Sequence, residues 1–280
     1  MQKKNVLIVT GITGFIGTNI ANSVYFNQNF EIYGLSSKKF FKLESKLTEI
    51  DEDYFYQIIK NREICLLHLA TFYSLDENEK KKILDSNLEF GIDFFNTLLI
   101  NKVDIKSILY TNTVFSFSEN EKIKKSTYVI TKNKFSRYLR KVSLEKNINL
   151  VEVYLDNTFG KDDKRKKIIP SMINAASNNL EIEIKNPDSY INLTPVSGIL
   201  KIFEQLIDKQ KNCEVAIFSS YEYKLDSINA YIREFFNNGS SLRIEKNKFN
   251  VPASLPKYVE KIFIEIELES ELENILTELI

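Results

Sequence analysis

Residues Thr10-Gly11-Ile12-Thr13-Gly14-Phe15-Ile16-Gly17 set three glycines three apart, directly behind the apolar run Asn5-Val6-Leu7-Ile8-Val9 and ahead of a helical stretch that starts at Phe15. Nothing else in the 280 residues constrains the fold so tightly. A strand, a glycine turn and a helix open a βαβ unit. In such a unit Gly11 lets the chain turn sharply, Gly14 lets backbone approach a pyrophosphate, and Gly17 lets the helix pack closely on the strand. The amides and positive dipole end of the helix then face the phosphates.

The pattern continues as a βαβ series. The first helix is expected from about Phe15 to Asn27, and a second strand at Glu31–Leu35 ends in Ser36-Ser37-Lys38-Lys39. A charged connection and a helix near Asp53–Lys60 lead to a buried strand at Ile64–Leu69. Leu84, Leu88, Ile92, Phe95 and Leu99 recur at helical spacing and predict one long amphipathic helix. A strand at Ser107–Thr111, a helix at Tyr128–Lys146 and a strand at Asn149–Tyr154 follow. Strands alternating with helices in this way predict an α/β fold, a Rossmann-like, doubly wound, mostly parallel sheet. Beyond Gly160 the pattern loosens, with shorter elements at Ile182–Ile184 and Val215–Phe218 and a final helix near Leu268–Leu279. The expected division is a dinucleotide-binding domain over residues 1–160 and, over 161–280, mostly a small substrate-binding lobe with some segments returning to the first domain.

Thirty-eight basic side chains balance 38 acidic ones, which argues against a protein that coats nucleic acid. Cys65 and Cys213 cannot build a disulfide scaffold, and a single histidine cannot build a histidine-rich metal site, so no metal is expected. His68 and Cys65 lie in one apolar strand and read as packed framework residues. No apolar run is long enough to span a bilayer, and the first residues lack the form of a signal peptide, so a cytoplasmic protein without a membrane partner is expected.

With Phe15-Ile16 inside it, the Gly-x-x-Gly-x-x-Gly turn resembles the extended short-chain dehydrogenase/reductase family of nucleotide-sugar epimerases, dehydratases and reductases. His68-Leu69-Ala70 resembles the family's motif beside the cofactor, and Asn87, followed by Gly91 and Asn96, its structural asparagine segment. The match is specific to about Gly160 and generic after it. It implies cofactor contacts from Gly11, Thr13, Gly14, Phe15 and Ile16, from Leu69, Ala70 and Thr71, and from Asn87.

Members that prefer NAD usually end the second strand with an acid, whose carboxylate accepts hydrogen bonds from ribose hydroxyls. Ser36-Ser37-Lys38-Lys39 holds no acid there. Hydroxyl and ammonium groups suit a 2′-phosphate, so NADP(H) is expected over NAD(H), held by Ser36, Ser37 and Lys38.

Tyr128-Val129-Ile130-Thr131-Lys132 is Tyr-x-x-x-Lys on a helix, and residues four apart share a helical face. A nearby ammonium stabilises phenolate and lets the phenol exchange a proton near neutral pH. Both side chains are also expected against the cofactor. Thr111-Asn112-Thr113 stands where relatives carry Ser-Ser-Ser or Ser-Thr, which implies Thr113 as the hydroxyl that orients a substrate oxygen, with Thr111 as runner-up.

Asp156-Asn157-Thr158-Phe159-Gly160 resembles the family's Asn-x-x-Gly turn, whose asparagine reaches the substrate pyrophosphate. The Lys161–Lys167 run is similar to that of reductases acting on nucleotide-linked 4-keto-deoxysugars, such as abequose and related synthases. The resemblance thus implies a nucleotide-diphosphate-sugar substrate bound by Asn157, Arg165 and Lys167 together with Thr113. Tyr154 and Ile191 stand where relatives carry arginines, and Gly198 where they carry a later Asp. A 4,6-dehydratase would need an Asp-Glu pair after Thr113, but Val114-Phe115 follows it, and the Cys/His pair of a 3,5-epimerase is missing. The resulting expectation is a nucleotide-sugar 4-ketoreductase, an oxidoreductase of deoxysugar biosynthesis for lipopolysaccharide O-antigen. The alternatives are a 4-epimerase with bound NAD and a non-catalytic dinucleotide sensor. The family commonly pairs two copies through helices corresponding to Leu84–Leu99 and Tyr128–Lys146, so a homodimer is expected; Phe135, Leu139 and Val142 would either join its seam or face the sheet.

Overall fold

In the computed structural model, residues 4–279 other than 208, 210 and 239–241 are described. The chain divides into two units. Met1–Tyr154, Leu200–Ala216 and Pro252–Glu260 form the first, and Leu155–Ile199, Ile217–Val251 and Lys261–Ile280 form the second.

β1 (Asn5–Thr10) carries Val6 to Thr10 wholly buried, as a parallel strand shielded on both faces must. α1 (Phe15–Asn22) and α2 (Val24–Asn29) replace the single expected helix. The break is Ser23, which adopts extended backbone and caps α2 by accepting from the Phe26 amide. β2 (Phe30–Ser36) follows, then two strands that the charged composition concealed, β3 (Lys39–Leu43) and β4 (Leu47–Ile50), before α3 (Glu52–Ile59) and β5 (Glu63–His68). The long amphipathic stretch is α4 (Lys80–Leu84), one π-helical turn at Asp85–Glu89, and α5 (Phe90–Ile100). β6 (Asp104–Thr113), α6 (Glu121–Lys124), α7 (Thr127–Lys146) and β7 (Asn149–Leu155) complete the run.

The later elements are β8 (Asn157–Phe159), α8 (Ile168–Ser177), β9 (Tyr190–Pro195), α9 (Val196–Leu206), β10 (Cys213–Ser219), β11 (Tyr221–Lys224), α10 (Leu225–Asn238), β12 (Lys246–Lys248) and α11 (Leu268–Leu276). The short element expected at Ile182–Ile184 is irregular chain. Its three residues alternate apolar and acidic side chains, which suits a strand, but it forms no ladder.

The first unit holds a mostly parallel sheet in the order β10-β7-β6-β5-β1-β2-β3-β4. β1 pairs in parallel with both β2 and β5, and β5 with β6, while β3 and β4 extend the edge antiparallel. This is a Rossmann-like α/β fold. Its core joins Val6, Ile8, Leu66, Ile108 and Tyr110 of the strands to Phe95, Phe135 and Leu139 of the helices. Each such fully buried side chain contributes about 1.5–3 kcal/mol. Phe135 and Leu139 therefore face the sheet, and Val142 is buried as well.

The second unit is built on a four-stranded sheet ordered β12-β11-β9-β8. β8 runs parallel to β9, with Asn157 opposite Leu193, while β11 is antiparallel to β9. Met172 of α8, Ile228, Tyr231 and Ile232 of α10, and Leu268, Leu272 and Leu276 of α11 fill its core. Among the described residues no helix is long and apolar enough to cross a membrane.

Candidate active site

The glycine turn behaves as its spacing demands. Gly11 has φ +73°, and its amide donates to the Leu35 carbonyl at 2.6 Å. A Cβ on Gly17 would lie 2.2 Å from the Gly11 carbonyl oxygen and 2.6 Å from Ile12 Cα, both immovable backbone. A Cβ on Gly14 would meet only the Gly11 oxygen, at 3.1 Å, so the outer face of the turn stays open. An open backbone face ahead of the first turn of α1, which starts at Phe15-Ile16, fits a pyrophosphate. Thr13 Oγ1 lies 2.5 Å from Ser36 Oγ and ties the turn to the end of β2.

His68 supports this turn from below. Thr10 Oγ1 accepts the Leu69 and Ala70 amides, each at 3.2 Å, so its own proton goes to His68 Nδ1 at 3.0 Å. The imidazole is thus a neutral framework group. Burial drives its pKa down to about 3, with the Lys132 charge adding to the effect.

The end of β2 is a two-residue hairpin. Ser36 pairs with Lys39, while Ser37 (φ 49°) and Lys38 (φ 63°) both occupy the left-handed region, as a type I′ turn requires. Ser37 and Lys38 are exposed, and Lys39 is engaged with Glu49 at 2.8 Å.

Tyr128 and Lys132, the groups expected to exchange protons, lie in the first turns of α7. Ser126 caps the helix by accepting the Val129 amide, and Glu77 accepts both the amide (2.9 Å) and the hydroxyl (2.5 Å) of Thr127. A carboxylate at this helix end also suits the dipole. Tyr128 is buried and meets Tyr73 edge-on, ring centroids 5.0 Å apart. Lys132, 2% exposed, donates to the Thr111 carbonyl at 2.6 Å and to Thr71 Oγ1 at 3.0 Å. Burial lowers its pKa to about 7, although the Glu152 charge opposes the fall. An ammonium so poised exchanges protons near neutrality.

Thr111 spends its hydroxyl on the His68 carbonyl (3.3 Å). Thr113 Oγ1 accepts from the Phe115 amide at 3.2 Å, which leaves its proton for an oxygen beyond the strand. Asn87 is buried and clamps the Phe72 backbone, accepting from its amide at 2.7 Å and donating to its carbonyl at 3.0 Å. It fixes the loop that carries Thr71 and Tyr73.

In the second unit Asn157 donates to Asp156 at 3.0 Å and to the Asn192 carbonyl at 3.3 Å. Arg165 wraps Asp163 with two bonds of 2.7 Å and also reaches Thr158 Oγ1 (3.0 Å) and its carbonyl (2.8 Å). Its fork holds the loop together. Lys167 stands at the start of α8, its pKa lowered to about 8 by burial with Arg165 adding. Burial raises Asp156 to about 7.

Sequence reasoning passed over Glu77, Ser136, Arg140 and Glu152. Ser136 and Arg140 were findable, because they continue the four-residue stripe of Tyr128 and Lys132; nothing local flags Glu77 or Glu152.

Comparison with known proteins identifies the family and the fold. The NAD dependent epimerase/dehydratase family matches residues 7–194. An ADP-L-glycero-D-manno-heptose-6-epimerase from Brachyspira hyodysenteriae is 23% identical over 181 residues, which is 58% of this chain and 57% of that protein. The match thus spans little more than half the length of that relative. The crystal structure of a UDP-N-acetylglucosamine 4-epimerase from Bacillus cereus superposes with TM-score 0.73 at 13% identity, covering 98% of this chain and 96% of that one. The Bordetella bronchiseptica enzyme WbmF in complex with NADH gives TM-score 0.72 at 14% identity, covering 98% and 91%.

Proposed function

Because the chain belongs to the NAD-dependent epimerase/dehydratase family, whose cofactor is a nicotinamide dinucleotide, we propose that it is a reductase. In this reading it uses NADPH to reduce the 4-keto group of a nucleotide-linked 4-keto-6-deoxysugar, a step toward deoxysugars of a surface polysaccharide. The observation that carries the reading is the acid-free hairpin at the end of β2. Ser36 and Ser37 offer hydroxyls and Lys38 an exposed ammonium where a ribose-binding carboxylate would repel a 2′-phosphate. A reductase spends its cofactor each turn and so has use for NADPH.

Bound NADPH would supply the hydride. The Gly11–Gly17 turn would hold the pyrophosphate, and Lys132 would hold the nicotinamide ribose. Tyr128 gives its phenolic proton to the carbonyl oxygen, and Thr113 donates a hydrogen bond that aims that oxygen. Asn157 and Lys167 meet the substrate diphosphate, and Arg165, already committed to Asp163 and Thr158, shapes their loop. The test is NADPH oxidation with a panel of nucleotide-linked 4-keto-6-deoxyhexoses.

A second reading, a nucleotide-sugar 4-epimerase that retains NAD, is favoured by the activity named for the Bacillus cereus neighbour. Tyr128, Lys132 and Thr113 would serve it equally. In either case the reading includes a homodimer formed through α4–α5 and α7; light scattering at micromolar concentration should report twice the 32.6 kDa chain mass.

A further inference from the structure

Tyr128, Lys132, Ser136 and Arg140 follow one another at four-residue intervals along α7 and share one helical face. The last two converge on Glu152 of β7, a carboxylate only 1% exposed. Ser136 Oγ donates to Glu152 Oε2 at 2.9 Å, and Arg140 Nη2 donates to the same oxygen at 2.5 Å. Arg140 Nη1 reaches Glu214 at 2.6 Å, whose other oxygen accepts the Tyr154 hydroxyl at 2.9 Å. Glu152 Oε1 accepts from Asn112 Nδ2 at 2.6 Å, and Asn112 Oδ1 in turn accepts the Thr113 amide at 2.8 Å. The residue before Asn112, Thr111, supplies the carbonyl that receives the Lys132 ammonium.

We infer that Glu152 is a positioning residue: through Asn112 it fixes the β6 end that carries Thr113 and, one residue before Asn112, the Thr111 carbonyl that receives the Lys132 ammonium. This rests on the reading that Tyr128, Lys132 and Thr113 carry the reaction. A buried ion pair adds little stability over apolar packing, so its place at this strand end calls for another reason. The groups around Lys132 are Tyr128 on its own helix, the Tyr110 ring of β6 at 4.7 Å, neutral His68 of β5, and Glu152 of β7, itself paired with Arg140 at 2.5 Å. Of these, Glu152 is the one anion, and it works against the burial that lowers the lysine.

Glu152→Gln keeps the shape and removes the charge. Arg140, 39% exposed at its side chain, lines a cavity of about 360 Å³ and retains Glu214, so the variant should fold. The primary readout needs no substrate: ¹³Cε NMR of lysine-labelled protein, with the Lys132 signal assigned by its absence in Lys132→Met. Lys132 should titrate about one pH unit lower in Glu152→Gln than in the parent. Glu152→Asp, one methylene shorter, should keep the titration near the parent value yet lower kcat by about 10–100-fold with KM held, since the bridge to Asn112 is lost. If neither variant folds, Asn112→Ala cuts the same link, and the same loss of kcat is expected. An unchanged Lys132 midpoint in Glu152→Gln, or parental kcat in Glu152→Asp or Asn112→Ala, overturns the inference. Failure of every keto-sugar to turn over would instead overturn the reductase reading and leave the titration result standing.

Discussion

Replacing Gly14 and Gly17 with alanine, one at a time, should separate the two jobs of the glycine turn. At Gly17 the added methyl would sit 2.2 Å from the Gly11 oxygen, 2.6 Å from Ile12 Cα and 2.7 Å from the Ile12 oxygen. All three are backbone atoms of a turn pinned by the Gly11–Leu35 hydrogen bond, so the clash is relieved only by prising α1 off β1. Overpacking of this kind costs about 3 kcal/mol or more. At about 2–4 °C per kcal/mol, Tm should fall by roughly 6–12 °C. Gly14 is different: its φ of −79° and ψ of 174° suit any residue, and its nearest contact is a single oxygen at 3.1 Å. Alanine there costs only the difference between Gly and Ala at an N-cap, about 0.5–1 kcal/mol, or a few degrees. Its methyl, however, projects into the face that the pyrophosphate must approach. Calorimetry should therefore find Gly14→Ala near parental stability, and fluorescence titration should find its NADPH affinity down by at least about tenfold, the effect of 1.4 kcal/mol. Parental Tm in Gly17→Ala, or parental NADPH affinity in Gly14→Ala, would refute the reasoning.

Tyr128→Phe should bind cofactor normally and lose about 10²–10⁴ of its turnover, the usual worth of general acid catalysis; unchanged turnover removes Tyr128 as proton donor. NADPH should bind more tightly than NADH, and Lys38→Ala or added salt should narrow the gap, because the contact is an exposed ion pair; equal dissociation constants in the parent protein would end that argument. Asp156 has its pKa raised by burial from 3.8 to about 7, so the folded state holds a proton that the unfolded chain gives up. Its contribution is complete below pH 3.8 and is lost as pH rises through 7. Asp156→Asn should therefore gain stability over the parent at pH 8 and show no gain at pH 4 in denaturant melts; a pH-independent difference contradicts this.

The Rossmann-like half of the chain was legible because its signals are local. A β-branched run before Gly-x-x-Gly-x-x-Gly, and Tyr-x-x-x-Lys on a helix, each tie residue type to geometry within 13 residues or fewer. β3 and β4 were hidden because Ser37-Lys38, which turns β2 into β3, adopts a turn usually marked by Asn-Gly, and because Lys39 and Lys42 on either side of Phe40-Phe41 read as a charged loop. Ser23 broke a helix whose apolar spacing ran straight through it. Arg165 reads as an anion ligand from its neighbours in sequence, while its bonds to Asp163 and Thr158 arise only through loop closure. Glu152 lay out of reach for the same reason: Asn112, Ser136 and Arg140 meet it only once the sheet has formed.

The most direct test of the proposed activity follows one reaction by two readouts. Purified protein, NADPH and a nucleotide-linked 4-keto-6-deoxyhexose are mixed, with absorbance of the reduced nicotinamide recorded alongside chromatography of the sugar nucleotide. One NADPH should be oxidised for each 4-keto sugar converted to its alcohol, with no net conversion of UDP-glucose to UDP-galactose in a parallel assay. Interconversion of 4-epimers with no change in the nicotinamide absorbance would contradict the proposed activity.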